Sequence, residues 1–302
     1  MIEGKFVDLY ARNSGLRDKL VAEREVVLTY ALRSLLDAGV MDHLAFKGGT
    51  CLRKLVFGSA ARFSEDLDFT LDTDRSDDDV LTEIVDVFNR EHYGIAFRFE
   101  EYYKTQDDTS FGGDVLYRHD WNDAGRFRMQ VSLRERPTLP VLPKAMQHQA
   151  YFNYLEFELF DVRAMETIEM LAEKVRAAFQ RVKVRDLYDL HRFSATPFDG
   201  ELLRQLAVLK LWQARDPFDP DAAFFEKLRR GDFDWADIER LLRASERVEP
   251  EEILSTVESR FDVLRQLTEL EQQVIADSKS GWNEPLAERL RAEIRRRFEA
   301  GK

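Results

Sequence analysis

Apolar side chains recur at three- and four-residue intervals through residues 16–40, and the spacing predicts an amphipathic helix that stops near Gly39. The period then changes. His43-Leu44-Ala45-Phe46 is a short apolar stretch running into Lys47-Gly48-Gly49-Thr50, after which Cys51 to Phe57 resumes helical spacing. That order predicts a turn followed by a helix N-terminus. From Arg62 to Leu71 the pattern alternates, with Phe63, Leu67, Phe69 and Leu71 on one side and Ser64, Asp66, Asp68 and Thr70 on the other. Period two predicts a half-buried strand, in which Glu65 is the one polar residue in the apolar register. The acidic cluster Asp72 to Asp79 reads as a solvated turn, and a helix is expected over 80–92.

Strands are predicted over 95–103 and 126–134, the second because Phe127, Met129, Val131 and Leu133 alternate with Arg126, Arg128, Gln130 and Ser132. Between them, residues 104–125 are polar and contain glycine, which predicts a loop or hairpin. Pro137, Pro140 and Pro143 interrupt regular structure, and Tyr151 to Val162 reads as a further strand. Beyond residue 164 the segments are helical in period almost to the end. The expected fold is α+β: a domain over 1–163 with an N-terminal helix and a mixed sheet flanked by helices, then a helical domain over 164–302. There is no internal repeat.

Composition narrows the class. At 302 residues and 44% apolar content, with only 14 glycines and 8 prolines, the chain can bury a large core and is neither disordered nor fibrous. No apolar run approaches the ~20 residues of a membrane span, and the first residues lack the charged-then-apolar pattern of a secretory signal. A soluble protein of the cytoplasm, with no membrane partner, is expected. The single cysteine, Cys51, excludes an internal disulfide framework and a cysteine-based metal cluster, and its place on an apolar helix face reads as packing. A net charge of −12 argues against a protein that coats nucleic acid, yet leaves room for local basic grooves. Arg126, Arg128, Arg134 and Arg136 form one such cluster, and Arg176, Arg181, Lys183 and Arg185 a second. The five histidines, His43, His92, His119, His148 and His191, show no metal-ligand spacing.

The chemistry lies in two short motifs. Asp66 and Asp68 stand two apart on a strand, so their carboxylates leave the same face and can share a divalent cation. Mg²⁺ takes few protein ligands and completes its shell with water and phosphate oxygens, so two carboxylates on a rigid strand suffice for a nucleoside triphosphate. Upstream, Gly48 and Gly49 let backbone approach a phosphate without a Cβ in the way, and the helix that follows offers unpaired N–H groups. Thr50 adds a hydroxyl donor in this reading. Either motif alone is common in solvated strands and turns; their succession is far more specific.

The order Gly-Gly-Thr, helix, Asp-x-Asp strand resembles the nucleotidyltransferase fold shared by polymerase beta and antibiotic-modifying nucleotidyltransferases. More narrowly, Phe46-Lys47-Gly48-Gly49-Thr50 with Leu52 and Lys54, then Arg62-Phe63-Ser64-Glu65-Asp66-Leu67-Asp68-Phe69, is similar to the AbiEii/AbiGii toxin family, which includes the mycobacterial MenT toxins. Ala172-Glu173-Lys174 and Arg185-Asp186-Leu187-Tyr188-Asp189-Leu190 are similar to that family's paired lysine and aspartate elements. The matches span residues 46–190. The resemblance implies that Asp66 and Asp68 bind Mg²⁺ or Mn²⁺ and that Lys47, Gly48, Gly49, Thr50 and Ser64 line the nucleotide site. It further implies that Lys174 contacts the triphosphate and Asp189 completes the catalytic set. Lys174 lies among the apolar positions Leu171, Val175 and Ala178, and an ammonium is a compact charge suited to phosphate. Asp186 shares a helix face with Asp189 and, with Glu173, is a candidate supporting partner.

One departure stands out. Many enzymes of this fold place a third carboxylate on a later strand, whereas Arg128 to Ser132 offers Gln130 and Ser132. The leading expectation is a toxin–antitoxin nucleotidyltransferase, of the kind used in phage defence, that transfers a nucleoside monophosphate from an NTP to RNA. By resemblance the acceptor is the 3′ end of tRNA, blocking aminoacylation, and a cognate antitoxin is a partner. Arg126, Arg128, Arg181 and Arg185 are the candidate RNA contacts. Two other readings stay open: the same chemistry on a small molecule or protein, and an inactive module that binds a nucleotide or partner.

Overall fold

The computed structural model describes residues 3–16, 18–278 and 282–301; Met1, Ile2, Arg17, 279–281 and Lys302 lie outside the described residues. The chain divides into two compact units. The first comprises Met1–Pro137, Val141–Met165 and Arg240–Glu246, and the second Thr138–Pro140, Glu166–Glu239 and Arg247–Lys302. Among the described residues, no helix is long and apolar enough to cross a membrane.

The first unit is built on an eight-stranded mixed sheet. Its strands are β1 (Leu44–Lys47), β2 (Asp66–Leu71), β3 (Glu91–His92), β4 (Ile95–Lys104), β5 (Ser110–His119), β6 (Asn122–Ser132), β7 (Leu142–Lys144) and β8 (Val162–Ala164), in the order β3-β4-β5-β6-β2-β1-β8-β7. The pairs β2/β6 and β1/β8 are parallel and the rest antiparallel. Leu67, Phe69, Phe127, Met129, Val131 and Phe111 are buried, which is where the alternating sequence places the apolar half of each strand.

Helix α1 (Gly4–Asn13) precedes α2 (Lys19–Asp37), which opens on the Asp18 carboxylate accepting the Leu20 amide at 2.8 Å and ends before Gly39 at φ 76°. Helix α2 is not the half-solvated helix that its pattern predicts. Glu23 and Glu25 on its polar positions are fully buried, Glu23 by Tyr117, His119 and Asn122 at 2.6–2.9 Å. Glu25 takes Arg53 and Lys54, each at 3.1 Å. A buried carboxylate is tolerated only when paired in this way.

Three other expectations change. Residues 104–125 contain a full strand, β5, whose glycines Gly112 and Gly113 mimic a loop in sequence but admit neighbouring side chains: a Cβ on Gly113 would sit 2.6 Å from the Phe99 ring. Ala150–Tyr154 is a 3₁₀ turn, and of the expected strand only its last residue, Val162, enters the sheet, as the start of β8. There Tyr151 is drawn to Lys54 and Thr29, at 3.1 and 2.8 Å, away from any ladder. Helix α4 (Asp77–Val87) starts within the acidic cluster, because Ser76 caps it and Asp77, Asp78 and Asp79 favour the positive end of its dipole.

The second unit is helical: α5 (Thr167–Gln180), α6 (Val184–Ser194), α7 (Gly200–Gln213), α8 (Glu226–Arg230), α9 (Ala236–Glu239), α10 (Pro250–Arg260), α11 (Glu269–Asp277) and α12 (Glu284–Ala300). Helix α7 is buried on every side from Leu202 to Trp212, carrying Lys210 into ion pairs with Glu169 and Glu173, both at 2.9 Å. Arg204 meets buried Glu271 in the same way, at 2.9 Å.

Candidate active site

The Gly-Gly loop and the acidic strand touch. Strand β1 pairs with β2 so that Lys47 lies opposite Asp68, and the chain then turns into the short helix α3 (Gly48–Cys51). Gly48 stands at φ +78°, a conformation that disfavours any side chain. A Cβ there would lie 2.2 Å from Asp68 Oδ2, so the carboxylate rests directly on the glycine. Gly49 has the same relation to two other groups. Its Cβ would be 2.8 Å from Arg62 Nη2 and 2.9 Å from Ser64 Oγ. The two glycines are thus fixed by the side chains they admit: Asp68 on the first, Ser64 and Arg62 on the second.

Thr50 plays a different part from the one its position suggests. It is fully buried and its hydroxyl donates to the Asp66 carbonyl, so it ties α3 to the acidic strand and offers no hydroxyl to a phosphate. Past α3 the chain widens into a π-helical turn, Leu52–Phe57. Its Arg53 and Lys54 are buried in the Glu25, Thr29 and Tyr151 network beneath the loop. Burial alone would drive the Glu25 carboxyl up, but Lys54 and Arg53 outweigh it and hold the group below the usual carboxylate range. Cys51 is buried against the Phe46 carbonyl, and burial pushes its thiol far up, which leaves it a packing residue.

Glu65, the polar residue in the apolar register, is buried and ion-paired to Arg24 and to Arg240, the latter at 2.5 and 2.9 Å. The Phe63 amide donates to the Leu241 carbonyl at 2.8 Å. The segment Arg240–Glu246 therefore grips the approach to Asp66, although in sequence it lies within the helical region, between α9 and α10.

Asp66 and Asp68 lie in two rows of cross-strand partners. One runs Asp66, Arg128, Asp114, Glu100 across β2, β6, β5 and β4; the other runs Lys47, Asp68, Gln130, Gly112, Tyr103 from β1 to β4. Gln130 indeed stands beside Asp68 where a third carboxylate is usual in this fold. A carboxylate occurs one strand further on, at Asp114, with Arg126 at 3.5 Å and Arg128 at 3.6 Å. Those two arginines are mostly exposed, at 67% and 60%. Tyr103 also belongs to this face. Burial raises its phenol above the ordinary value, Arg128 opposes the rise, and Asp68, Asp114 and Asp66 add to it.

Sequence reasoning missed Arg62, Asp114 and Tyr103. Arg62 stands at the head of the Arg62–Phe69 motif, two positions before Ser64. Asp114 and Tyr103 had no motif, because strand pairing alone aligns them with Asp66 and Asp68.

In the helical unit, Lys174 on α5 faces two carboxylates of α6, Asp189 at 2.8 Å and Asp186 at 3.3 Å. Asp186 is buried and further held by Arg181 at 2.7 Å. Its burial would raise the carboxyl, but Lys174 and Arg181 keep it below the usual range. Glu173 pairs with Arg176 at 2.6 Å as well as with Lys210. Of the arginines expected at RNA, Arg181 is 58% exposed while bound to Asp186, and Arg185 is engaged by Asp237 at 2.8 Å.

Among the described residues there is no group of three or more His, Cys, Asp or Glu side chains arranged to hold a metal. Asp66 and Asp68 form a two-carboxylate set, which fits a hard, oxygen-seeking cation that keeps water and substrate oxygens in its shell.

Comparison with known proteins points the same way. A family model described as the nucleotidyl transferase AbiEii toxin of type IV toxin–antitoxin systems matches residues 30–300. Among solved structures, the chain is similar to MenT4, nucleotidyltransferase toxin Rv2826c from Mycobacterium tuberculosis H37Rv, at 25% identity and a TM-score of 0.81, covering 98% of this chain and 100% of that one. JHP933 from Helicobacter pylori shares the fold at 18% identity and a TM-score of 0.50, over 86% of this chain and 98% of that one. No curated protein matches the chain.

Proposed function

The chain belongs to the AbiEii nucleotidyltransferase toxin family, and from that premise we propose that it transfers a nucleoside monophosphate from an NTP to the 3′ end of an RNA, a tRNA, and so blocks aminoacylation. Membership in a type IV toxin–antitoxin family implies an antitoxin partner. The observation that supports the reading is the contact of Gly48 with Asp68 and of Gly49 with Ser64 and Arg62, which sets the glycine pair against the acidic strand within one unit.

In this reading Asp66 and Asp68 hold Mg²⁺ or Mn²⁺, which when bound neutralises charge on the phosphate oxygens. The triphosphate lies along the loop. Backbone N–H groups near Gly48 and Gly49 approach it, and Ser64, Lys47 and Arg62 supply polar and cationic partners. The family resemblance assigns Lys174 to the triphosphate, with Asp189 to orient its ammonium and Asp186 and Glu173 to support the two. The ribose hydroxyl of the acceptor attacks the α-phosphorus. A new P–O bond forms as the bond to the bridging oxygen breaks, the hydroxyl proton passes to solvent or a carboxylate, and pyrophosphate leaves. The exposed Arg126 and Arg128, in and beside the row that includes Asp66, support an RNA backbone as the acceptor's carrier, and Arg181 and Arg185 are the other candidate contacts.

Incubation of the protein with Mg²⁺, each labelled NTP in turn and total tRNA tests this, with Asp66→Asn alongside. Label should enter tRNA with the wild type and be absent with the variant. Transfer that survives the substitution, or no transfer to RNA with any NTP, overturns the proposal.

A further inference from the structure

Resting on that reading, we propose that Tyr103 orients the RNA acceptor, its phenol hydroxyl hydrogen-bonding the terminal ribose across a floor formed by Gln130 and Gly112. Three features place its phenol on that face. First, β4 carries a bulge: Glu100 pairs with Asp114 and Tyr103 with Gly112, so three steps along β4 answer two along β5. Without the extra residue, Tyr102 would stand opposite Gly112 and Tyr103 would turn to the opposite face. Second, the bulge is held at a backbone conformation that a side chain rarely adopts, Glu101 at φ 50°. Third, the phenol lies against Gly112: a Cβ there would sit 2.9 Å from Tyr103 Oη and 3.1 Å from Cζ, besides 2.4 Å from the Met129 carbonyl oxygen of β6. The ring therefore lies across β5 and its hydroxyl points along the row toward Gln130 and Asp68.

The direction of the reaction assigns the substrate. Strand β2 lies between β1, whose end leads into the glycine loop, and β6, which leads to β5 and β4. With the triphosphate on the loop, pyrophosphate leaves toward β1, and an in-line attack must come from the β6 side. Gly112 is two strands from Asp68, roughly 10 Å at ordinary strand spacing. That interval accommodates a ribose between the carboxylates and the Tyr103 hydroxyl, with the small Gly112 and the flat Gln130 amide beneath it. Tyr103 thus belongs to the acceptor and not to the NTP.

Steady-state transfer from labelled NTP to total tRNA tests this with Tyr103→Phe. Loss of one hydrogen bond should raise the acceptor KM about three- to tenfold in Tyr103→Phe, with the NTP KM unchanged and the melting temperature held. Unchanged acceptor KM in an active Tyr103→Phe, or both KM values and the melting temperature moving together, overturns the inference alone. A wild type that labels no RNA overturns the proposed function itself.

Discussion

Replacing Gly48 with alanine puts a methyl where the Asp68 carboxylate now rests. The new Cβ would lie 2.2 Å from Oδ2, 2.8 Å from Asp68 Cβ and 2.9 Å from Cγ, against the 3.4 Å where ordinary contact begins. The carboxylate must retreat by about 1 Å, a misplacement that can cost on the order of 10²-fold in rate. The φ of +78° adds backbone strain, about 1–2 kcal/mol for a residue with a side chain. A chain of this size loses about 2 °C of melting temperature per kcal/mol, so the fold should survive with a midpoint a few degrees lower. Gly39→Ala separates the two effects. Gly39 has nearly the same angle, φ +76°, yet nothing within 4 Å of the added Cβ. It should show the same thermal loss and full label transfer to tRNA. Gly48→Ala with wild-type turnover, or Gly39→Ala as inactive as Gly48→Ala, would refute the reasoning that the glycine exists to admit Asp68.

Glu25→Gln should destabilise the chain by about 3–5 kcal/mol in urea titration, because Arg53 and Lys54 then lose their buried counter-charge; a change under 1 kcal/mol would contradict the pairing. Asp186 bears on pH: its folded carboxyl lies below the usual range, so its contribution is present above the unfolded value near 4 and disappears as pH falls through the folded value. The stability gap between wild type and Asp186→Asn, measured by denaturant at successive pH values, should accordingly be full at pH 7 and shrink on acidification below about 4. A gap that is constant or grows toward acid would show that Lys174 and Arg181 do not hold the carboxylate charged.

The parts legible in sequence are those set by local rules. Alternation from Phe63 to Leu71 and from Arg126 to Leu133 marked β2 and β6 because a pleat sends neighbours to opposite faces. Asp66 and Asp68 shared a face for the same reason. Legibility failed where a residue's role depends on a distant partner. Gly112 and Gly113 look like a loop until β4 and β6 flank them. Thr50 looks like a phosphate donor until its hydroxyl is spent on the Asp66 carbonyl. Glu23 and Glu25 look solvated until Tyr117, His119, Arg53 and Lys54 enclose them.

By itself, then, the sequence determined the chemistry class: two carboxylates at period two, a glycine pair before a helix, and the family that wears them in that order. Tertiary structure alone decided how they act together. It seats Asp68 on Gly48 and Ser64 on Gly49, brings Arg240 to Glu65, and through one bulge turns Tyr103 onto the face of the acidic pair. The physical reason is that periodicity fixes only the direction in which a side chain leaves its own strand. Which strand lies alongside, and in what register, is set by pairing and burial between segments far apart in the chain.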